Sequence, residues 1–159
     1  MSSESAPLHG LLTPEIVRGL TGLELLQGWR DRRFPSPPIG RFLRGDLVEA
    51  EFGRVVFEGT PGEDHYNPLG TVHGGYAATI LDSCMGCAVH STLAAGQAFT
   101  SVEIKVNFVR AMTEKTGVVR AEGKTINVGS RIATAEGRIV DARGKLLAHG
   151  TTTCLIFAT

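Results

Sequence analysis

The sequence predicts an α+β domain: a curved antiparallel sheet wrapped around one long central helix, preceded by short N-terminal helices. Three observations carry that prediction. From Gly74 to about Ser91 the chain is apolar around most of a helical circumference, through Ala77, Ala78, Ile80, Leu81, Cys84, Met85, Cys87, Ala88 and Val89. A helix apolar nearly all round is a buried one. After it come four long strand-like runs broken by turn formers, with no internal repeat. Small residues stud the helix (Gly75, Ala77, Ala78, Ser83, Gly86 and Ala88) and permit a sheet to close on it.

The elements follow in order. Residues 1–12 form a loose leader. Thr13-Pro14-Glu15 is a helix start, with an N-cap hydroxyl, a proline at the first position and an acid in the first turn. Ile16, Leu20, Leu23 and Leu26 continue an apolar stripe, but Gly19 and Gly22 weaken its middle. Two short helices are therefore expected, the second opened by a Thr21/Glu24 capping box and seated on the body by Trp29. Residues 32–42 are a stiff proline-rich connector, neither helix nor central strand. Residues 1–45 thus precede and brace a domain occupying 46–159. Residues 46–59 read as a hairpin turning at Phe52–Gly53, and 61–70 as a loop rich in turn formers. Beyond the helix, Ser101–Arg110 alternates: Val102, Ile104, Val106 and Phe108 point one way, Ser101, Glu103, Lys105 and Asn107 the other. Gly117–Val128, Arg131–Val140 and Leu146–Phe157 complete the sheet.

Composition narrows the function. Sixteen basic and sixteen acidic residues cancel, which gives no footing for nucleic acid or a membrane surface. The apolar helix is too short to span a bilayer. The N-terminus shows no secretory leader, and three cysteines make no disulfide framework, so a cytoplasmic protein is expected. Cys84 and Cys87 form a CxxC, but no second ligand pair stands at zinc spacing. They read as small core thiols, and no metal is expected.

The chemistry gathers at the helix. Its N-terminus offers unpaired N–H groups and a positive dipole end, and Gly74 and Gly75 leave those donors unshielded. Such a spot binds an anion or polarises a carbonyl. His73 stands at its lip, and Asn67 lies six residues before it, in an Asn-Pro turn. One charge interrupts the helix: Asp82, with Ala78, Met85, Gly86 and Val89 one turn away on its face and none able to pair it. Asp82 lies eight residues past Gly74, about 12 Å along the axis. One carbonyl cannot touch both. Either the two are unrelated, or the site joins Gly74 of one subunit to Asp82 of another in a two-fold dimer. Ser101 opens its strand but sits in no G-x-S-x-G elbow, which argues against a serine hydrolase. His90, ending the helix, reads as a cationic cap. His149 and Thr151–Thr153 read as ordinary strand positions.

These residues together resemble the hotdog-fold acyl-CoA thioesterases, in particular the PaaI-like branch associated with phenylacetic acid degradation. The match is N-x-x-x-x-x-H-G-G with an acid nine residues after the His: Asn67, His73, Gly74, Gly75 and Asp82, followed by the SVEIKVNFVRA strand. The resemblance runs from about residue 46 to the C-terminus. It implies a homodimer with a continuous sheet, and a dimer of dimers, or homotetramer, beyond it. It implies that Asp82 acts on the thioester or its attacking water, that the Gly74 N–H of the facing helix polarises the carbonyl, and that Asn67 positions the acyl group or water. Ser101 would assist Asp82. Related branches carry Glu and, one turn later, a hydroxyl residue; Asp82 and Gly86 stand there instead. The phosphates of CoA would lie near Arg110 and the Gly129-Ser130-Arg131 turn. No cofactor is implied, since CoA is part of the substrate. A hotdog acyl-thioester hydratase or dehydratase, or a non-catalytic acyl-CoA binder, are the alternatives.

Overall fold

A computed structural model describes residues 9–159, so most of the expected leader lies outside the described residues. Helices α1 (Pro14–Gly19), α2 (Gly22–Arg30) and α3 (Gly40–Leu43) lead into strands β1 (Gly45–Glu51) and β2 (Arg54–Gly59). The long helix α4 (Gly74–His90) follows, then β3 (Gln97–Phe108), β4 (Val119–Val128), β5 (Ile132–Val140) and β6 (Leu146–Ala158). The two expected short helices are present. Thr21 and Glu24 form the full capping box, whereas Thr13 makes no side-chain cap bond. Trp29 lies edge-on to Phe57 at 5.4 Å and donates from Nε1 to Ser36 Oγ at 3.1 Å, fixing α2 to the sheet. The connector is not wholly irregular: its last residues wind into α3.

All six strands form one antiparallel sheet in the order β1-β2-β4-β5-β6-β3. The hairpin turns at Gly53, whose φ of +77° favours glycine. The sheet closes on α4 because small residues face it. Ala121, Ala133 and Ala135 are buried on its inner surface. Gly123, Gly137 and Gly150 stand in one register row across three neighbouring strands. A Cβ on Gly123 would collide with the Cys84 carbonyl of α4, and one on Gly137 would lie 2.8 Å from Met85 Cγ. Into this trough α4 sinks Ile80, Leu81, Met85 and Val89, all fully buried. Each contributes about 1.5–3 kcal/mol by leaving water. The opposite face of the sheet is charged and internally paired: Arg54 binds Glu49 and Glu122, and Arg120 binds Glu49 and Glu58.

The sheet covers only part of α4. A strip of small and polar residues (Gly75, Ala78, Thr79, Asp82 and Ser83) stays open or half-covered. The one charge expected on the apolar helix, Asp82, lies on this strip and is exposed in the single chain. Among the described residues, no helix is long and apolar enough to cross a membrane.

Candidate active site

The candidate residues fall into two groups, one at each end of the sheet. At the N-terminus of α4, Asn67 builds its own loop. Its Oδ1 accepts from the Leu69 and Thr71 amides at 2.9 and 3.3 Å, and its Nδ2 donates to Thr71 Oγ1 at 3.0 Å. The amide expected to meet substrate or water is thus engaged in turn chemistry. The loop delivers His73 as the N-cap of α4. The His73 N–H donates to the His65 carbonyl at 2.7 Å, and its own carbonyl accepts from Tyr76 N–H at 3.0 Å. His73 Nδ1 accepts from Gly75 N–H at 2.8 Å. The two glycine amides are therefore unequal. That of Gly75 is taken, while that of Gly74 has no acceptor among the described residues and stands at the positive end of a 17-residue helix.

Gly74 is covered from one side. A Cβ there would lie 2.9 Å from the Phe108 ring at the end of β3. Beside it opens a cleft of about 400 Å³ with Val72, Ala77, Phe108 and Met112 among its walls. Arg110 is its one charged lining residue.

At the other end, Ser101 Oγ donates to Asp82 Oδ1 at 2.7 Å. Simple alternation along β3 turns Ser101 away from Ile104, Val106 and Phe108, and the structure corrects this. Ser101 pairs with Cys154 and Glu103 with Thr153, so Val102 is an extra residue, a β-bulge. The bulge shifts the phase of the strand and aims Ser101 at the helix. The Gly129-Ser130-Arg131 turn lies just beyond this row: Ala133 pairs with Cys154, and Ile156 N–H donates to the Arg131 carbonyl at 2.7 Å. Arg110 sits at the far end of β3, its Nη1 donating to the Leu146 carbonyl at 2.8 Å. The residues named for CoA phosphates are thus separated within one chain.

Other groups take quieter roles. Gly86 makes room for Phe99, whose ring would lie 2.8 Å from a Cβ there. His90 is no cationic cap. It is half-buried beside Phe99, its Nδ1 has no partner, burial holds its pKa below the usual imidazole value, and Ser91 is the C-cap. Burial pushes the Cys84 thiol well above its usual range and that of Cys87 up to about 12, as befits inert core thiols. His65 was not singled out from the sequence. It is buried, accepts from Gly62 N–H at Nδ1 (2.9 Å) and meets the Phe42 carbonyl at Nε2 (2.5 Å), linking α3 to the loop before α4. A histidine inside a turn-rich loop was its only signal.

A curved antiparallel sheet around one helix, with a helix-start amide and a carboxylate displayed beside it, is the hotdog fold of thioester-cleaving enzymes. The chain belongs to the thioesterase superfamily, whose family profile matches residues 69–148. It is similar to human acyl-coenzyme A thioesterase 13, at 32% identity over 111 residues covering 65% of this chain and 74% of that one. It is similar also to the 1,4-dihydroxy-2-naphthoyl-CoA hydrolase of Listeria monocytogenes, at 24% over 102 residues covering 64% and 81%. Among solved structures, the E. coli PaaI protein superposes with a TM-score of 0.75 at 17% identity, covering 86% of this chain and 96% of that one. A phenylacetic acid degradation-related protein of Ralstonia eutropha JMP134 gives 0.74 at 23%, covering 82% and 98%. These two structural likenesses speak for the fold.

Proposed function

We propose that the chain hydrolyses acyl-CoA thioesters to a free acid and CoA, in a site shared by two subunits. One observation carries this reading: the two halves of the machinery face solvent at separate places on one helix. The Gly74 amide lacks an acceptor, and the exposed Asp82 carboxylate is held by Ser101 at 2.7 Å, eight residues on. That is about 12 Å of helix, whereas hydrogen bonds reach about 3 Å. A second copy related by a two-fold axis brings the missing half to each end. The edge strand β3 supports such a pairing. It is twelve residues long, is bonded to β6 on one side only, and exposes Val102, Ile104 and Phe108. A dimer of dimers is compatible with the same site.

In this reading the Gly74 N–H and the dipole behind it stabilise charge on the thioester oxygen, a contribution of about 2.7–4 kcal/mol for one such donor. Asp82 supplies the attack. It either takes a proton from water, whose oxygen bonds to the carbonyl carbon, or bonds to that carbon itself and is then released by water. In both routes the C–S bond breaks and the thiol leaves with a proton. Ser101 orients the carboxylate. The His73 ring holds the Gly75 amide and so sets the first turn of α4, and Asn67 shapes the loop before it. The apolar cleft suits an uncharged acyl group. The two named relatives, each called after a CoA thioester, point to CoA as the thiol.

The test is Asp82→Asn against a panel of acyl-CoA substrates. Loss of kcat by about 10²–10⁴ with an unchanged fold is expected. Retained activity removes Asp82 from the mechanism. Label entering Asp82 in a single turnover in ¹⁸O-water identifies direct attack, with the anhydride opened at the Asp82 carbon.

A further inference from the structure

Next to the apolar cleft lies a second depression, of about 540 Å³, at the same end of the sheet. Its rim carries Arg110, Lys115, Arg143 and Lys145, with Asp141 as its one acid. The two hollows share Arg110, Ala111 and Leu147, so they form one groove leading outward from Gly74.

Cations outnumber acids four to one here, in a chain that has as many of one as of the other. Its net charge is zero, and on the sheet's outer face Arg54, Arg120 and Lys124 are each matched to glutamates. None of the four rim cations has a carboxylate partner among the described residues. Asp141 does not neutralise them by pairing. Its Oδ1 accepts from the Arg143 and Lys145 amides at 2.8 and 2.9 Å, and those bonds hold its carboxyl below the usual range. Its work is to fix the β5–β6 turn, closed by Gly144 at φ +77°, so that Arg143 and Lys145 project from a rigid base. Arg110 is likewise anchored at one nitrogen by the Leu146 carbonyl, leaving its other donors for an anion.

We propose that this rim binds the phosphates of the nucleotide end of CoA, with Lys115, Arg143 and Lys145 as substrate-binding residues beside Arg110. The assignment rests on the thioesterase reading above. The reacting carbonyl lies at Gly74, the thiol carrier's phosphates sit at the far end of a flexible arm, and the groove joins an apolar start to a cationic finish. Charge complementarity of this kind acts on capture of substrate and is screened by salt.

The experiment compares the unaltered chain with the Arg143→Ala/Lys145→Ala double variant and with Lys115→Glu. Each is assayed on one acyl group carried by CoA, by 3′-dephospho-CoA and by N-acetylcysteamine. KM for the CoA thioester should rise about tenfold at low salt, with kcat little changed. The rise should be smaller for dephospho-CoA and absent for N-acetylcysteamine. An unchanged KM for the CoA thioester overturns the proposal, as does an equal rise on all three carriers. A loss confined to an acyl carrier-protein substrate also overturns it, by moving the groove to a protein partner. Calorimetric binding of adenosine 3′,5′-bisphosphate is measured in parallel. Weaker binding by the double variant supports the assignment even where no thioester is turned over, and equal binding refutes it.

Discussion

Mixing two inactive variants should restore activity if the site spans two subunits. The pair is Asp82→Asn and Gly74→Ala. Asp82 is exposed, and an amide keeps an oxygen for the 2.7 Å bond from Ser101. Its stability change should stay within about 0.5 kcal/mol, while losing the base or nucleophile costs about 10²–10⁴ in rate. Gly74→Ala places a methyl 2.9 Å from the Phe108 ring, beside the one unpaired amide of the helix start. Displacing that donor costs about 10²–10³. Each homodimer should therefore fall to about 1% of wild type or below. Co-refolded in equal amounts, half the dimers are mixed. Each mixed dimer holds one site with an intact Gly74 from one chain and an intact Asp82 from the other. About a quarter of wild-type kcat per site should return. The readout is thiol release from an acyl-CoA, with native mass spectrometry to count mixed dimers. A mixture rich in mixed dimers that stays at the level of its parents refutes the shared site.

Other expectations follow from the same geometry. Ser101→Ala should lower kcat about tenfold, the low end for a charge-assisted bond because Asp82 is exposed, and should add nothing in an Asp82→Asn background. Gly123→Ala should destabilise at the upper end of about 1–3 kcal/mol, because its Cβ meets the α4 backbone. Gly137→Ala, which meets movable tips of Met85 and Leu81, should cost less; calorimetric Tm values rank the two, and the reverse order would contradict the trough. Burial depresses the His90 pKa from its ordinary 6.5. The unfolded chain therefore binds the proton first as pH falls, so this part of the stability is whole above pH 6.5 and is lost progressively below it. Urea titrations from pH 7.5 to 5 should show that slope in the wild type and a flatter one in His90→Leu.

Most of the frame was legible because periodicity reports burial directly. The apolar run of α4, the Thr21/Glu24 box and the Phe52–Gly53 turn each follow from local chemistry that tertiary contacts leave alone. The glycine row Gly123, Gly137 and Gly150 was not legible, since register across three strands is a long-range property. A glycine inside each strand was the available signal. The inequality of Gly74 and Gly75 was also hidden, because it depends on the rotamer by which His73 Nδ1 caps one amide and not the other. The exposure of Asp82 escaped the helix pattern because hydrophobicity counts apolar neighbours, and small ones such as Ala78 leave a side chain open.

The bulge in β3 has a consequence for how two copies can pair. Ser101 and Phe108 are seven residues apart, an odd spacing that puts them on opposite faces of a regular strand. Val102 is passed over in the ladder, so the spacing becomes even and both side chains meet α4. In an antiparallel pair of β3 edges, residues opposite one another share a face. A two-fold axis at Lys105 then sets Ser101 of one copy against Phe108 of the other, bringing the Asp82 half-site to the Gly74 half-site. Lys105 would face its own copy with Cα atoms about 4.5–5.5 Å apart, within the span of a disulfide. Lys105→Cys should therefore form an oxidised dimer quantitatively, with the native thiols silent because burial raises the pKa of Cys84, Cys87 and Cys154 alike. A Lys105→Cys chain that dimerises but never cross-links would place the axis elsewhere, and the two half-sites would no longer meet.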